Sequence, residues 1–242
     1  MTLVEHLAEL RKRVIVCAIA FAVTSTLVFL FYNPILHFLS APYEAATKGQ
    51  TTCGGTATTG CKLIVTGPLE PIIVRLKIAG YGGLALSIPV IMWEIWRFVT
   101  PGLHKHERRY GLWFGLAIVI LFALGGVVAW FTVSPALNFL LGIGGSSLAP
   151  FISADKYLTL VALMIAAFGV AFEFPVLLVF LLLVRVINTQ QLRRIRRIMI
   201  VAIVTFAAVI TPSADPFSLF FMAVPMYFFY EMSIVIGRIM KR

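Results

Sequence analysis

No Asp, Glu, Lys or Arg occurs between Tyr110 and Ala154, and a second uncharged run extends from Val14 to Tyr43. Runs of this length outlast the buried helices of a soluble domain. They match the roughly 20 apolar residues that an α-helix needs to cross a hydrocarbon layer about 30 Å thick. Composition points the same way, because 60% of the 242 residues are hydrophobic and 12% charged, with a mean hydropathy of +0.98. A soluble fold could not cover that much apolar surface.

The charges are few enough to delimit the spans one by one. They predict an all-α polytopic membrane protein whose residues 1–242 form a single domain of six transmembrane helices, at about 14–33, 78–98, 110–134, 157–184, 198–211 and 217–237. Asn33 and Pro34 are expected to end the first helix. The second carries Pro89, Glu94 and Arg97. Pro135 is expected to end the third crossing, leaving PALNFLLGIGG to lie along the membrane surface. The fourth span contains one acid, Glu173. The fifth reaches only about 21 Å at 1.5 Å per residue, so a thinned bilayer is expected beside the hairpin that it forms through TPSADP with the sixth.

Orientation follows from Lys and Arg near the span ends. Fifteen of the twenty fall on one side: Arg11, Lys12 and Arg13; Arg97, Lys105, Arg108 and Arg109; Arg185, Arg193, Arg194, Arg196 and Arg197; Arg238, Lys241 and Arg242. Lys48, Lys62, Arg75, Lys77 and Lys156 fall on the other. Both termini are therefore expected in the cytoplasm. The net charge of +10 is explained by topology, which removes the main support for a nucleic-acid surface. A cleaved signal peptide over residues 1–32 is disfavoured, because its uncharged run exceeds a usual signal core and its loss would leave five spans.

Cys17, inside the first span, reads as a small packing residue. Cys53 and Cys61 flank a Gly- and Thr-rich loop on the external side, where an oxidising compartment favours a disulfide. Free thiols and a zinc pair are the alternatives, although no His or further Cys lies nearby. The sequence carries no complete catalytic motif. His106-Glu107-Arg108-Arg109-Tyr110 has Tyr where the zinc-binding helix HExxH needs its second ligand. There is no phosphate-cradling loop, no nucleophile elbow and no intramembrane Ser and His pair. Neither an enzyme, a metal nor a cofactor is expected. Gly111 and Gly115 form a GxxxG, a weak sign of close packing. No internal repeat supports a two-fold transporter, and an ion-coupled carrier built on Glu173 would need broken helices, hinted at only by Pro89 and Pro175.

Acids on the basic side stand out: Glu5 and Glu9, one helical turn apart before the first span, and Glu107 in the second basic loop. Their plain reading is that Glu9 pairs with Arg13 at i,i+4 and Glu107 offsets Arg108. HLAELRKR at His6 to Arg13, WRFVTPGLHKHERR at Trp96 to Arg109 and AFGVAFEFPV at Ala167 to Val176 resemble, in order, the signature segments of the TatC family. Members of that family are core subunits of the twin-arginine protein translocase. The resemblance spans the whole chain, including Ala41-Pro42 and AVPMYFFYE ending at Glu231.

The resemblance implies a bacterial or archaeal cytoplasmic (inner) membrane protein. It would bind the twin-arginine signal peptides of folded precursors and dock single-span TatA- and TatB-type subunits. It would form a homo-oligomeric receptor complex and work from the proton gradient. Glu9 and Glu107 match the acids implicated in binding the paired arginines, with Arg11, Phe98, Pro101 and Leu103 in the same recognition region. Glu173, with Pro175, matches the partner-docking acid of the fourth helix, and Asp215 an acid of the last external loop. His104 where Tyr is usual, Leu219 where Gln is frequent, and the Cys53 to Cys61 insertion depart from the pattern. The chemistry is coherent, since a guanidinium presents a planar fork of donors that carboxylates match.

Overall fold

The computed structural model describes residues 3–47, 62–99, 111–143, 152–183, 186–213 and 215–239. All regular structure among them is α-helical: α1 (Leu3–Leu30), α2 (Tyr32–Ala46), α3 (Glu70–Val99), α4 (Gly111–Ile143), α5 (Ala154–Phe172), α6 (Phe174–Leu183), α7 (Thr189–Arg194), α8 (Arg196–Ile210) and α9 (Pro216–Ile239). Helices are what such a sequence permits, because lipid offers no partner to a backbone N–H or C=O and each helix satisfies its own. Helices α1, α3, α4 and α9, and α5 with α6 taken together, are long and apolar enough to cross a membrane. The large apolar side chains Val14, Ile19, Val23 and Leu27 of α1 point outward, as expected where the surrounding solvent is lipid.

Consecutive membrane crossings run antiparallel. The first half of α1 meets the last turns of α3 through Arg13 and Glu94, while Phe29 at the far end of α1 meets Arg75 at the start of α3. Trp96, late in α3, stacks on Phe114, early in α4, at 4.2 Å between centroids. Arg196 at the start of α8 pairs with Glu231 late in α9 at 2.6 Å. The molecule therefore has one basic end, carrying Arg11 to Arg13, Arg97, Arg193 to Arg197 and Arg238, and an opposite end capped by α2. The core runs along α5, where Val161, Met164, Phe168 and Phe172 are fully buried.

Two glycines let helices touch backbone to backbone. A Cβ on Gly83 of α3 would lie 2.6 Å from the Ser25 Cα of α1, and one on Gly125 of α4 would lie 2.6 Å from the Phe168 carbonyl oxygen of α5. These are small-residue contacts of the kind that pack membrane helices. Gly115, from the GxxxG, is filled by the Trp93 ring.

Four helix boundaries differ from the sequence-based expectation. The second helix begins at Glu70 rather than at about Ile78, which takes Arg75 and Lys77 into α3, where they meet Phe29 and Asp155. The first helix stops at Phe31 rather than at Asn33-Pro34, and Pro34 sits in the first turn of α2, where a missing N–H costs nothing. Pro135 does not end the third run, because α4 continues through it to Ile143. Ala129, Val133, Ala136 and Leu137 are all buried around it, so packing on both sides of the proline outweighs one lost hydrogen bond. The fourth run is two helices, not one, broken at Glu173.

At the opposite end α2 is anchored by Tyr43, fully buried, whose ring lies 5.2 Å from that of Tyr157. The Tyr157 hydroxyl donates to the Leu39 carbonyl at 2.8 Å. A short parallel bridge joins Ile64 to Ser153. Beside it Glu70 accepts from the Thr66 hydroxyl at 2.7 Å, from Ser153 Oγ, and from the Asp155 N–H at 3.1 Å. Lys77 completes the cluster on Asp155 at 2.7 Å. Glu70 thus ties the entry of α3 to the first turn of α5, a role that no local pattern announces.

Candidate functional site

Two groups of side chains carry chemistry. The first lies at the basic end, between α1 and α3. Glu9 and Arg13, one turn apart on α1, form the expected i,i+4 pair through Arg13 Nη2. Arg13 Nη1 reaches across to Glu94 Oε2 of α3 at 3.1 Å. The Phe98 ring, one turn beyond Glu94, lies 6.0 Å from the same guanidinium, within cation–π range. The arrangement follows from the α1–α3 crossing, since the close approach at Gly83 fixes the distance across which a glutamate and an arginine can meet. Glu94 is visible in the sequence only as an acid within a span, and its partner lies too far along the chain for helical spacing to suggest it.

The second group is at the break between α5 and α6. The Glu173 N–H donates to the Val170 carbonyl at 3.0 Å, one residue short of helical register, and the helix restarts as the Leu177 N–H donates to the Glu173 carbonyl at 3.1 Å. Pro175, lacking an N–H, prevents the ladder from closing. The Glu173 side chain is 5% exposed, and neither oxygen meets a hydrogen-bond donor among the described residues. Ser87 and Thr205, the hydroxyls that could have satisfied it, do not: Ser87 donates to Leu84, and Thr205 is exposed. The carboxylate lines a cavity of about 450 Å³ with Met92, Trp96, Phe180 and Phe206, whereas Pro175 lines another, of about 250 Å³, with Phe114, Phe229 and Met232. A buried polar group without a partner is costly. Pro89, by contrast, lies within an unbroken α3.

The remaining sequence-derived candidates fall elsewhere. Arg11 is exposed on α1. Asp215 is buried and accepts from the Ser218 N–H at 2.8 Å and the Ser218 hydroxyl at 2.6 Å, which makes it the N-terminal cap of α9, with Pro216 in the first helical position. Leu219 packs against the core. Cys17 is half-buried in α1. Glu107, Pro101, Leu103, His104 and the Cys53–Cys61 pair lie outside the described residues.

A family model described as Sec-independent protein translocase protein (TatC) matches residues 5–225. Similar proteins bearing that same description come from Frankia casuarinae (40% identical, over 98% of this chain and 65% of that one), Corynebacterium kroppenstedtii (35%, 100% and 62%) and Aquifex aeolicus (36%, 100% and 97%). The chain therefore spans less than two thirds of the first two and nearly all of the third. A crystal structure described as the twin arginine translocase receptor TatC superposes with a TM-score of 0.78 at 34% identity, covering 98% of this chain and all of that one.

Proposed function

The chain belongs to the Sec-independent protein translocase (TatC) family, and from that premise we propose that it is the signal-peptide receptor and core subunit of a twin-arginine translocase. It binds the paired arginines of folded precursors at the cytoplasmic face of the bacterial or archaeal inner membrane. It docks TatA- and TatB-type single-span subunits, assembles with further copies of itself, and performs no covalent chemistry. The proton gradient drives export. Glu9 and Glu107 take the arginines, with Arg11, Phe98, Pro101 and Leu103 around them, and Glu173 receives a polar group from a partner helix.

The observation that carries this reading is Glu9. It is a half-buried carboxylate at the basic end that already holds a guanidinium and keeps its second oxygen unbonded to any described residue. Among surrounding cations it offers an incoming arginine one of few anionic anchors. Loss of a desolvated charge pair costs about 2–5 kcal/mol, and less where water reaches it. Twin-arginine peptide affinity, measured at two salt concentrations, is expected to fall for Glu9→Ala and for Glu107→Ala, and further for both together. Unchanged binding in the double variant would exclude the recognition role.

A further inference from the structure

Arg13 is held from two sides, by Glu9 on its own helix and by Glu94 on α3, and the three side chains are only 14, 23 and 12% exposed in the order Arg13, Glu9, Glu94. The geometry points to Glu94 as a second arginine-recognising carboxylate, paired with Glu9 at a guanidinium's width, so that an incoming arginine is read by both acids. This inference rests on the receptor reading of Glu9 and names the residue that would set its choice of arginine over lysine.

The spacing comes first. Two carboxylates that both bond one guanidinium stand as far apart as the fork of that group requires. Arg13 uses one nitrogen on each acid, Nη2 on Glu9 Oε1 and Nη1 on Glu94 Oε2. The other oxygen of each accepts nothing from a described residue, so each acid keeps an acceptor for a second fork. Charge agrees, because two carboxylates around one guanidinium leave one negative charge at the basic end. The Phe98 ring adds a face on which a planar cation can stack. A lysine ammonium is a compact point charge and lacks the planar fork that matches one carboxylate on each side. Glu94 therefore contributes to arginine binding and little to lysine binding.

The test titrates a twin-arginine peptide, and the same peptide with both arginines changed to lysine, onto the full chain in lipid nanodiscs. Glu94→Gln, which keeps shape and an acceptor oxygen, is expected to lose about tenfold or more in twin-arginine affinity while the twin-lysine affinity stays within about twofold, so the arginine-to-lysine ratio falls. A purely structural Glu94 would leave that ratio where it was, whether both affinities hold or both fall together, and that result overturns the inference. Glu9→Gln is the reference. If it loses binding and Glu94→Gln does not, the Glu94 assignment fails alone, whereas if neither loses binding the receptor reading of Glu9 fails with it. Should Glu94→Gln not fold, Glu94→Asp retracts the charge by one methylene and decides the same question, a lowered ratio supporting the inference and an unchanged one overturning it.

Discussion

Glu173 and Glu94 are both acids inside apolar helices, yet their surroundings differ in kind. Glu94 has an arginine at 3.1 Å, whereas Glu173 has no donor among the described residues and faces an apolar cavity. In the isolated subunit an unsatisfied buried group costs on the order of 1–3 kcal/mol, so Glu173→Leu is expected to raise the thermal stability of the purified chain by a comparable amount. The same change should abolish disulfide cross-linking between α6 and a partner's transmembrane helix, together with export of a folded reporter. Glu173→Gln should keep much of both, because an amide still hydrogen-bonds, and Glu173→Ala should lose both. Full cross-linking and export in Glu173→Ala would return Glu173 to a structural role. The sequence exposes Glu173 because a charge in an uncharged run is conspicuous by itself. It hides Glu94, whose meaning depends on Arg13 of another helix, and Glu70, whose partners Thr66, Ser153 and Asp155 converge only in three dimensions.

At the scale of elements, the same residue type does opposite things according to what packs around it. Pro135 leaves α4 unbroken amid buried neighbours, while Pro175 accompanies a break beside an acid that has no donor among the described residues. Sequence marks both as candidate breaks and cannot rank them, because the deciding term is tertiary burial. Glycines on α3 behave alike. Gly80 has nothing within 4 Å of an added Cβ, whereas on Gly83 that atom would fall 2.1 Å from Ser25 Oγ and 2.6 Å from its Cα. Gly80→Ala is therefore expected to be neutral or to stabilise by up to about 1 kcal/mol through helix propensity. Gly83→Ala must push α1 away from α3 at a cost of about 1–3 kcal/mol. Because that crossing also sets the Arg13–Glu94 distance, Gly83→Ala should weaken twin-arginine binding as well as lower the melting temperature. Equal melting temperatures for the two variants would refute the close contact.

The whole molecule is uneven in thickness. Among the described residues five segments are long enough to span a membrane, but α8 has only 15 residues and reaches about 22 Å at 1.5 Å per residue. Its length cannot be made up by its neighbours, because Arg196 at one end is paired with Glu231 of α9 and Thr211 at the other is buried where the chain turns toward the Asp215 cap. The hairpin was legible in sequence from its turn residues and flanking charges. The pairing that fixes its depth was not, since Arg196 and Glu231 lie on different helices. Against a hydrocarbon layer of about 30 Å the shortfall is roughly 8 Å, and mismatch costs fractions of a kcal/mol per Å. The bilayer is thus expected to thin on the α8–α9 side, at a cost of a few kcal/mol that grows with lipid length. Reconstitution in phosphatidylcholines of increasing acyl length provides the measurement. The unfolding temperature should be highest in the shorter lipids and fall as the chains lengthen. The Arg196→Gln variant, which frees the basic end of α8 to tilt or slide, should show a shallower dependence on thickness from a lower starting stability. A melting temperature indifferent to acyl length would mean that α8 is shielded from lipid, and the thinning would then have no physical basis.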